Sequence, residues 1–184
     1  MNYLQELWAA LDFGSLRNIL LRLASVFLCL TTHETCHGLA AYALGDPTAK
    51  RMHRLSLNPL RHIDWMGLLM MVTLGFGWAK PVPVDPRYFR KPKQGMALTA
   101  LAGPVSNFLL ALVLLVGARI MVDHAAYSAL NQGILDFLVS TAVLSIGLGL
   151  FNLVPIPPLD GAKVLFSLLP DRMYDTMLRY ERIG

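Results

Sequence analysis

The chain has 184 residues, 55% of them hydrophobic and only 15% charged, with a net charge of +4. Soluble domains run at about 45–50% apolar and about 25% charged, so the composition points to one membrane-embedded domain and away from a soluble one. No aromatic-interleaved basic cluster suggests nucleic acid as a partner.

The opening stretch, MNYLQELWAALDFGSLRN, carries Glu6 and Asp12 and lacks a small-residue cleavage site, so no cleaved signal peptide is expected there. The first apolar run covers about residues 16–44. It is uncharged from Leu23 to Thr32, then takes in His33, Glu34 and His37, and stops at Gly45-Asp46-Pro47. About 26 residues from Ile19 rise roughly 39 Å as a helix, enough to cross a bilayer with some tilt. His33 is therefore expected near mid-membrane. Cys29 and Cys36 share this helix about 10 Å apart, too far for a disulfide with each other.

A polar stretch from Asp46 to Asp64 follows, with Lys50, Arg51, Arg54 and Arg61; within it Lys50 to Leu57 alternates in a partly strand-like way. The run 65–78, from Trp65 to Trp78, is apolar but short for a span, as in a re-entrant or interfacial segment. It leads into Gly77-Trp78-Ala79-Lys80-Pro81-Val82-Pro83-Val84, which its prolines hold extended. After a basic loop with Arg87, Arg90, Lys91 and Lys93, further spans are expected at about 96–121 and 134–154, the latter broken by Pro155, Pro157 and Pro158. The tail, 161–184, is amphipathic and basic.

Lys and Arg concentrate in 46–64, in 80–95 and in the tail, while 122–133 has Asp123 and no Lys or Arg. The positive-inside rule puts the three basic stretches in the cytoplasm. Both ends of 65–78 then lie on one face, so that run should dip in and return. The expected fold is an all-α polytopic membrane protein forming a single core over 1–184, with three transmembrane helices, a re-entrant segment and a short extended, β-like stretch.

His33-Glu34-Thr35-Cys36-His37 reads HExxH. Residues four apart share a helix face, so both imidazoles can bind one zinc ion, and Glu34 beside it can act as general base on the zinc-bound water. Accidental HExxH motifs sit on solvated helices, but no solvated face exists at mid-bilayer, where each ionisable residue costs about 2.5–3.5 kcal/mol. A catalytic zinc needs a third ligand and an open fourth position. Asp160 follows the broken end of the last span, where irregular backbone can line a cavity, and is the carboxylate best placed to serve. Asp64 and Asp85 sit in loops and read as solvated; His53, His62 and His124 read as surface histidines. Asn107 and the Gly103-Pro104 pair, in the second span, are first of all helix-packing features, with a site-lining role for Asn107 as the sharper alternative. Cys36 reads as a small apolar filler.

HETCHG at 33–38, AGPVSN at 102–107 and FNLVPIPPLDG at 151–161 resemble, in this order, the motifs of the site-2 protease family of intramembrane zinc proteases. GDPTAK, LNPL and FGWAKPVPV look like its small prokaryotic members without a PDZ domain. The resemblance covers nearly the whole chain from about residue 20. It implies one zinc ion held by His33, His37 and Asp160, Glu34 as general base, and Asn152 as the residue that polarises the scissile carbonyl or steadies its oxyanion. The branch commonly continues with another hydrophobic segment after a sequence like YERIG, so a truncated chain is expected here. Thr35-Cys36 is an unusual filling of HExxH, at positions that need not touch the metal.

The expected activity is hydrolysis of peptide bonds in or near transmembrane segments of membrane-protein substrates, with the site opening to the cytoplasm. The extended stretch 77–84 is expected either to pair with unwound substrate through the N–H groups of Val82 and Val84 or to be a rigid linker. The alternative function is a non-catalytic zinc-binding membrane protein, for transport, for sensing or as a pseudoprotease. Transport predicts a polar path through the membrane, which the last two spans scarcely supply, and a site that merely holds zinc has no use for Glu34.

Overall fold

The computed structural model describes residues 16–62, 64–74, 80–124 and 128–170, together with Tyr174. Its helices are α1 (Leu16–Ala43), α2 (Thr48–Arg51), α3 (Trp65–Leu74), α4 (Pro92–His124), α5 (Ala129–Asn152) and α6 (Asp160–Ser167), with 3-10 turns at Pro59–Arg61 and Pro86–Tyr88. No strand is assigned among the described residues. Three helical stretches, Arg17–Ala43, Pro92–His124 and Leu130–Asn152, are long and apolar enough to cross a membrane.

Two spans begin earlier than the apolar runs suggested, because backbone hydrogen bonding and capping, not apolarity, set a helix's limits. α4 opens on Pro92, whose fixed φ suits a first helical position. α5 opens five residues before the apolar run because Ser128 accepts a bond from the Asn131 N–H at 3.1 Å. It stops at Asn152, ahead of Pro155. α1 ends in a Schellman motif: Gly45 takes φ 106°, the Asp46 N–H donates to the Ala41 carbonyl at 2.9 Å and the Gly45 N–H to that of Tyr42 at 3.1 Å.

The bundle is built around α4, which packs against α1, α5 and α6. Its interior is small and polar: Ala100, Ala111, Ala118, Ala142, Thr99, Ser106, Asn107, Thr141 and Ser145 are buried, while Leu109, Leu112, Val113, Val116, Ile120, Val143 and Leu150 point outward. This inverts the soluble pattern and is the arrangement lipid demands, since small residues let helices approach and hydroxyls bond across the interface. Ser25 Oγ and Thr141 Oγ1 lie 2.7 Å apart, and Ser145 Oγ donates to the Asn107 carbonyl at 2.8 Å. Gly149 allows α5 close to Pro104, since a Cβ there would stand 3.2 Å from the Pro104 carbonyl oxygen.

The strand-like alternation at Lys50–Leu57 is not borne out. Asp46 Oδ1 accepts the Thr48 N–H at 2.8 Å and also its hydroxyl, which starts the helical turn Thr48–Arg51. Asp46 Oδ2 accepts the Asp85 N–H at 2.7 Å, tying the end of α1 to the stretch before α4. α3 has 10 residues, opened by Asp64 Oδ1 accepting the Gly67 N–H at 2.9 Å. At about 15 Å it is too short to cross. The rest of the expected re-entrant path and of the extended stretch, 75–79, lies outside the described residues, as does most of the tail. Lys80–Asp85 is neither helix nor strand.

Candidate metal centre

Both HExxH histidines lie on one face of α1, as their spacing requires. The proline-rich turn after α5 doubles back so that Asp160, the first residue of α6, meets them. Gly161 makes that turn possible: a Cβ there would lie 2.2 Å from the Leu153 carbonyl oxygen. His33 Nε2 and His37 Nε2 each stand 3.0 Å from Asp160 Oδ2. The three residues are 3%, 8% and 7% exposed, and their ligand atoms all lie within 4.8 Å of one another. Zinc bound tetrahedrally at about 2.0–2.1 Å would separate its ligand atoms by about 3.3 Å, close to the 3.0 Å between Asp160 Oδ2 and each imidazole, so the three residues fit as ligands of one ion. Burial pushes the Asp160 carboxyl up, but the bonds from both imidazoles, with Lys163 Nζ 3.6 Å away, hold it well below the usual carboxylate range.

The other ring nitrogens are also engaged. His37 Nδ1 lies 2.7 Å from the Thr99 carbonyl oxygen, which fixes that nitrogen as the donor and leaves Nε2 for a metal. Thr99 precedes Ala100, whose carbonyl loses its helix partner at Pro104, so the imidazole bonds to α4 where its ladder is interrupted. His33 Nδ1 faces the Asn107 amide, with Nδ2 at 3.0 Å. Gly103 completes the cradle. A Cβ on it would stand 2.5 Å from His37 Nε2 and 2.6 Å from His33 Nε2, so only glycine leaves the convergence point open.

Glu34 is half-buried next to the cluster, and its Oε2 accepts the Val82 N–H at 3.0 Å. The expectation that Val82 offers this N–H to substrate therefore meets a prior engagement with the carboxylate. Asn152 donates through Nδ2 to the Leu148 carbonyl of its own helix at 3.0 Å; no hydrogen bond joins it to the three clustered residues. Asp64 and Asp85 open helical turns, and Asp85 also pairs with Arg87. His53 and His124 are exposed, as expected. His62 is not a surface histidine: it is 2% exposed, its Nε2 lies 2.8 Å from the Ser56 carbonyl oxygen, and Thr35 Oγ1 is 3.5 Å away. Thr35, between Glu34 and His37, thus fastens α1 to the loop before α3.

Gly103 and Asn107 do more here than pack helices: one keeps the convergence point open and the other faces a ligand ring. Their four-residue spacing puts both on one face of α4, and that signal was available.

The family model described as peptidase family M50 matches residues 115–179. A protein of Bacillus subtilis (strain 168), named "Putative zinc metalloprotease YwhC", is 39% identical over 165 residues, 87% of this chain and 74% of its own length. The similarly named Rip2 of Mycolicibacterium smegmatis is 32% identical over 79% of this chain and 56% of its own. Rip2 of Mycobacterium tuberculosis is 34% identical over 76% of this chain and 53% of its own. The chain thus spans about half the length of the Rip2 proteins. No solved structure matches it.

Proposed function

Since the chain belongs to peptidase family M50, the site-2 protease family of zinc metalloproteases, we propose that it cuts membrane proteins within or beside their transmembrane segments. The observation that carries this reading is the meeting of His33, His37 and Asp160 inside a bundle of membrane-crossing helices, with Glu34 adjoining them. Residues 1–184 act as one protease core with one zinc site, open to the cytoplasm.

Zinc held by these three residues would supply a Lewis acid that polarises the scissile carbonyl and acidifies water. Glu34 takes the proton of the attacking water and returns it to the leaving amine. The Val82 N–H fixes Oε2, so the proton goes to Oε1. The Thr99 carbonyl holds the His37 ring in the orientation that ligation needs. Asn152 donates to the developing oxyanion in this reading, which requires its Nδ2 to leave the Leu148 carbonyl. A transmembrane substrate must unwind locally, because a helix hides its carbonyls in its own hydrogen bonds.

Purified protein in lipid vesicles is expected to cleave a transmembrane reporter, to lose that cleavage when a chelator strips its metal, and to regain it with zinc. Cleavage that persists in metal-stripped protein would sink the reading.

The cytoplasmic opening has its own test. With Cys29 and Cys36 replaced by alanine, single cysteines at positions 50 and 90 should both label from the cytoplasm, and one at 125 from the opposite side. Labelling of 50 and 90 from opposite sides would make 65–78 a true crossing and reverse the assignment.

A further inference from the structure

Asn107 is 0% exposed, and its two amide atoms are in contrasting states. Nδ2 lies 3.0 Å from His33 Nδ1, whereas Oδ1 is buried with no hydrogen-bond partner. The backbone that carries it is pinned twice. Ser145 Oγ, itself fully buried, donates to the Asn107 carbonyl at 2.8 Å, and Ser106 Oγ donates to the Gly103 carbonyl at 2.6 Å, one turn earlier. An unpaired buried acceptor is costly and calls for a reason.

The chemistry of the neighbouring ring supplies one. An imidazole that ligates through Nε2 is neutral and carries its proton on Nδ1. That proton needs an acceptor, because in a buried site nothing else solvates it. His37 has the Thr99 carbonyl for this purpose. For His33, the group facing Nδ1 is the Asn107 amide, which presents a donor at one end and an acceptor at the other. A half-turn about its terminal torsion places Oδ1 where Nδ2 stands.

We propose that Asn107 is the positioning residue of His33: its Oδ1 accepts the Nδ1 proton whenever Nε2 is given to a metal, and its Nδ2 donates to Nδ1 whenever Nε2 carries the proton and bonds Asp160. The two arrangements differ by one proton leaving Nε2 and one arriving on Nδ1, so the ring's charge does not change. In both, the buried ring nitrogen keeps a partner. A carbonyl oxygen in this place would serve only the first arrangement and an ammonium only the second. The inference rests on the metal-site reading and extends it from the three ligands to the group that sets which tautomer one of them adopts.

The test measures zinc affinity in detergent by competition with a chelator. Asn107→Leu keeps the bulk and removes both functions; it should bind zinc about ten- to a hundredfold more weakly, the range for loss of a ligand's hydrogen-bond partner. Asn107→Asp keeps the acceptor and should stay within a few-fold of wild type. A packing role predicts the opposite order, with Leu tolerated and Asp damaging. Zinc binding by Asn107→Leu at the wild-type level overturns the proposal, and so does equal loss in both variants. A measurement on the unaltered chain stands apart from folding of the variants: in zinc-loaded protein, nitrogen–proton correlation spectra should show His33 protonated at Nδ1 with that proton hydrogen-bonded. Protonation at Nε2 overturns the proposal. A wild-type chain that takes up no zinc overturns the metal reading and this inference together; one that takes it up beside an equally competent Asn107→Leu overturns the inference alone.

Discussion

Glu34→Gln is expected to lower cleavage of a transmembrane reporter by about a hundred- to ten-thousandfold, the usual contribution of a positioned general base, while the zinc content of the purified protein stays at the wild-type level. Both halves follow from the geometry. His33, His37 and Asp160 form the ligand group without Glu34, so its loss of charge removes no ligand atom. Gln also keeps a carbonyl oxygen that can accept the Val82 N–H, so the strap from Lys80 to Asp85 is not released and the loss reports the base alone. Two measurements on one preparation decide the matter, metal content and initial rate. Cleavage at the wild-type rate would remove Glu34 from the mechanism. Loss of zinc together with activity would make it a ligand or a structural support.

The three spans and the HExxH face were legible because each is a local pattern. An apolar run that can cross a bilayer and a four-residue spacing need no knowledge of what packs against them. Asp160 was legible for a related reason, since the prolines from 155 to 158 mark where the last span ends and the chain turns. What was not legible depends on long-range contact. His62 looks like any polar-loop histidine until the loop folds over Thr35, which is 27 residues away. Val82 reads as a free edge donor until the carboxylate 48 residues earlier takes its N–H. Lys50 to Leu57 alternates in sequence, yet the Asp46 side chain starts a helical turn, Thr48–Arg51, that takes in its first two residues. Asn107 sits between the two cases: its face on α4 is given by its spacing from Gly103, but its partner comes from α1, 74 residues away.

Gly103→Ala is expected to weaken zinc binding by more than about a hundredfold and to abolish cleavage with it, although no ligand is touched. The added Cβ would stand 2.5 Å from His37 Nε2 and 2.6 Å from His33 Nε2, well inside van der Waals contact of about 3.5–4.0 Å for non-bonded heavy atoms. Something must move by about 1 Å, while a metal site tolerates about 0.2 Å in its ligand distances. The backbone offers little relief, since α4 lies between α1 on one side and α5 on another, and Gly149 already brings α5 against Pro104. The rings offer little either, because His37 is tied to the Thr99 carbonyl and His33 faces Asn107. Gly117→Ala supplies the comparison within the same helix. Nothing lies within 4 Å of the Cβ it would carry, and alanine is the better helix former by about 1 kcal/mol, so zinc binding and activity should both survive. Measured side by side, loss of zinc in the first variant and not in the second would locate the effect at the ligand atoms. Equal zinc binding by both would mean that the two imidazoles do not converge beneath α4, and the metal centre would have to be placed elsewhere.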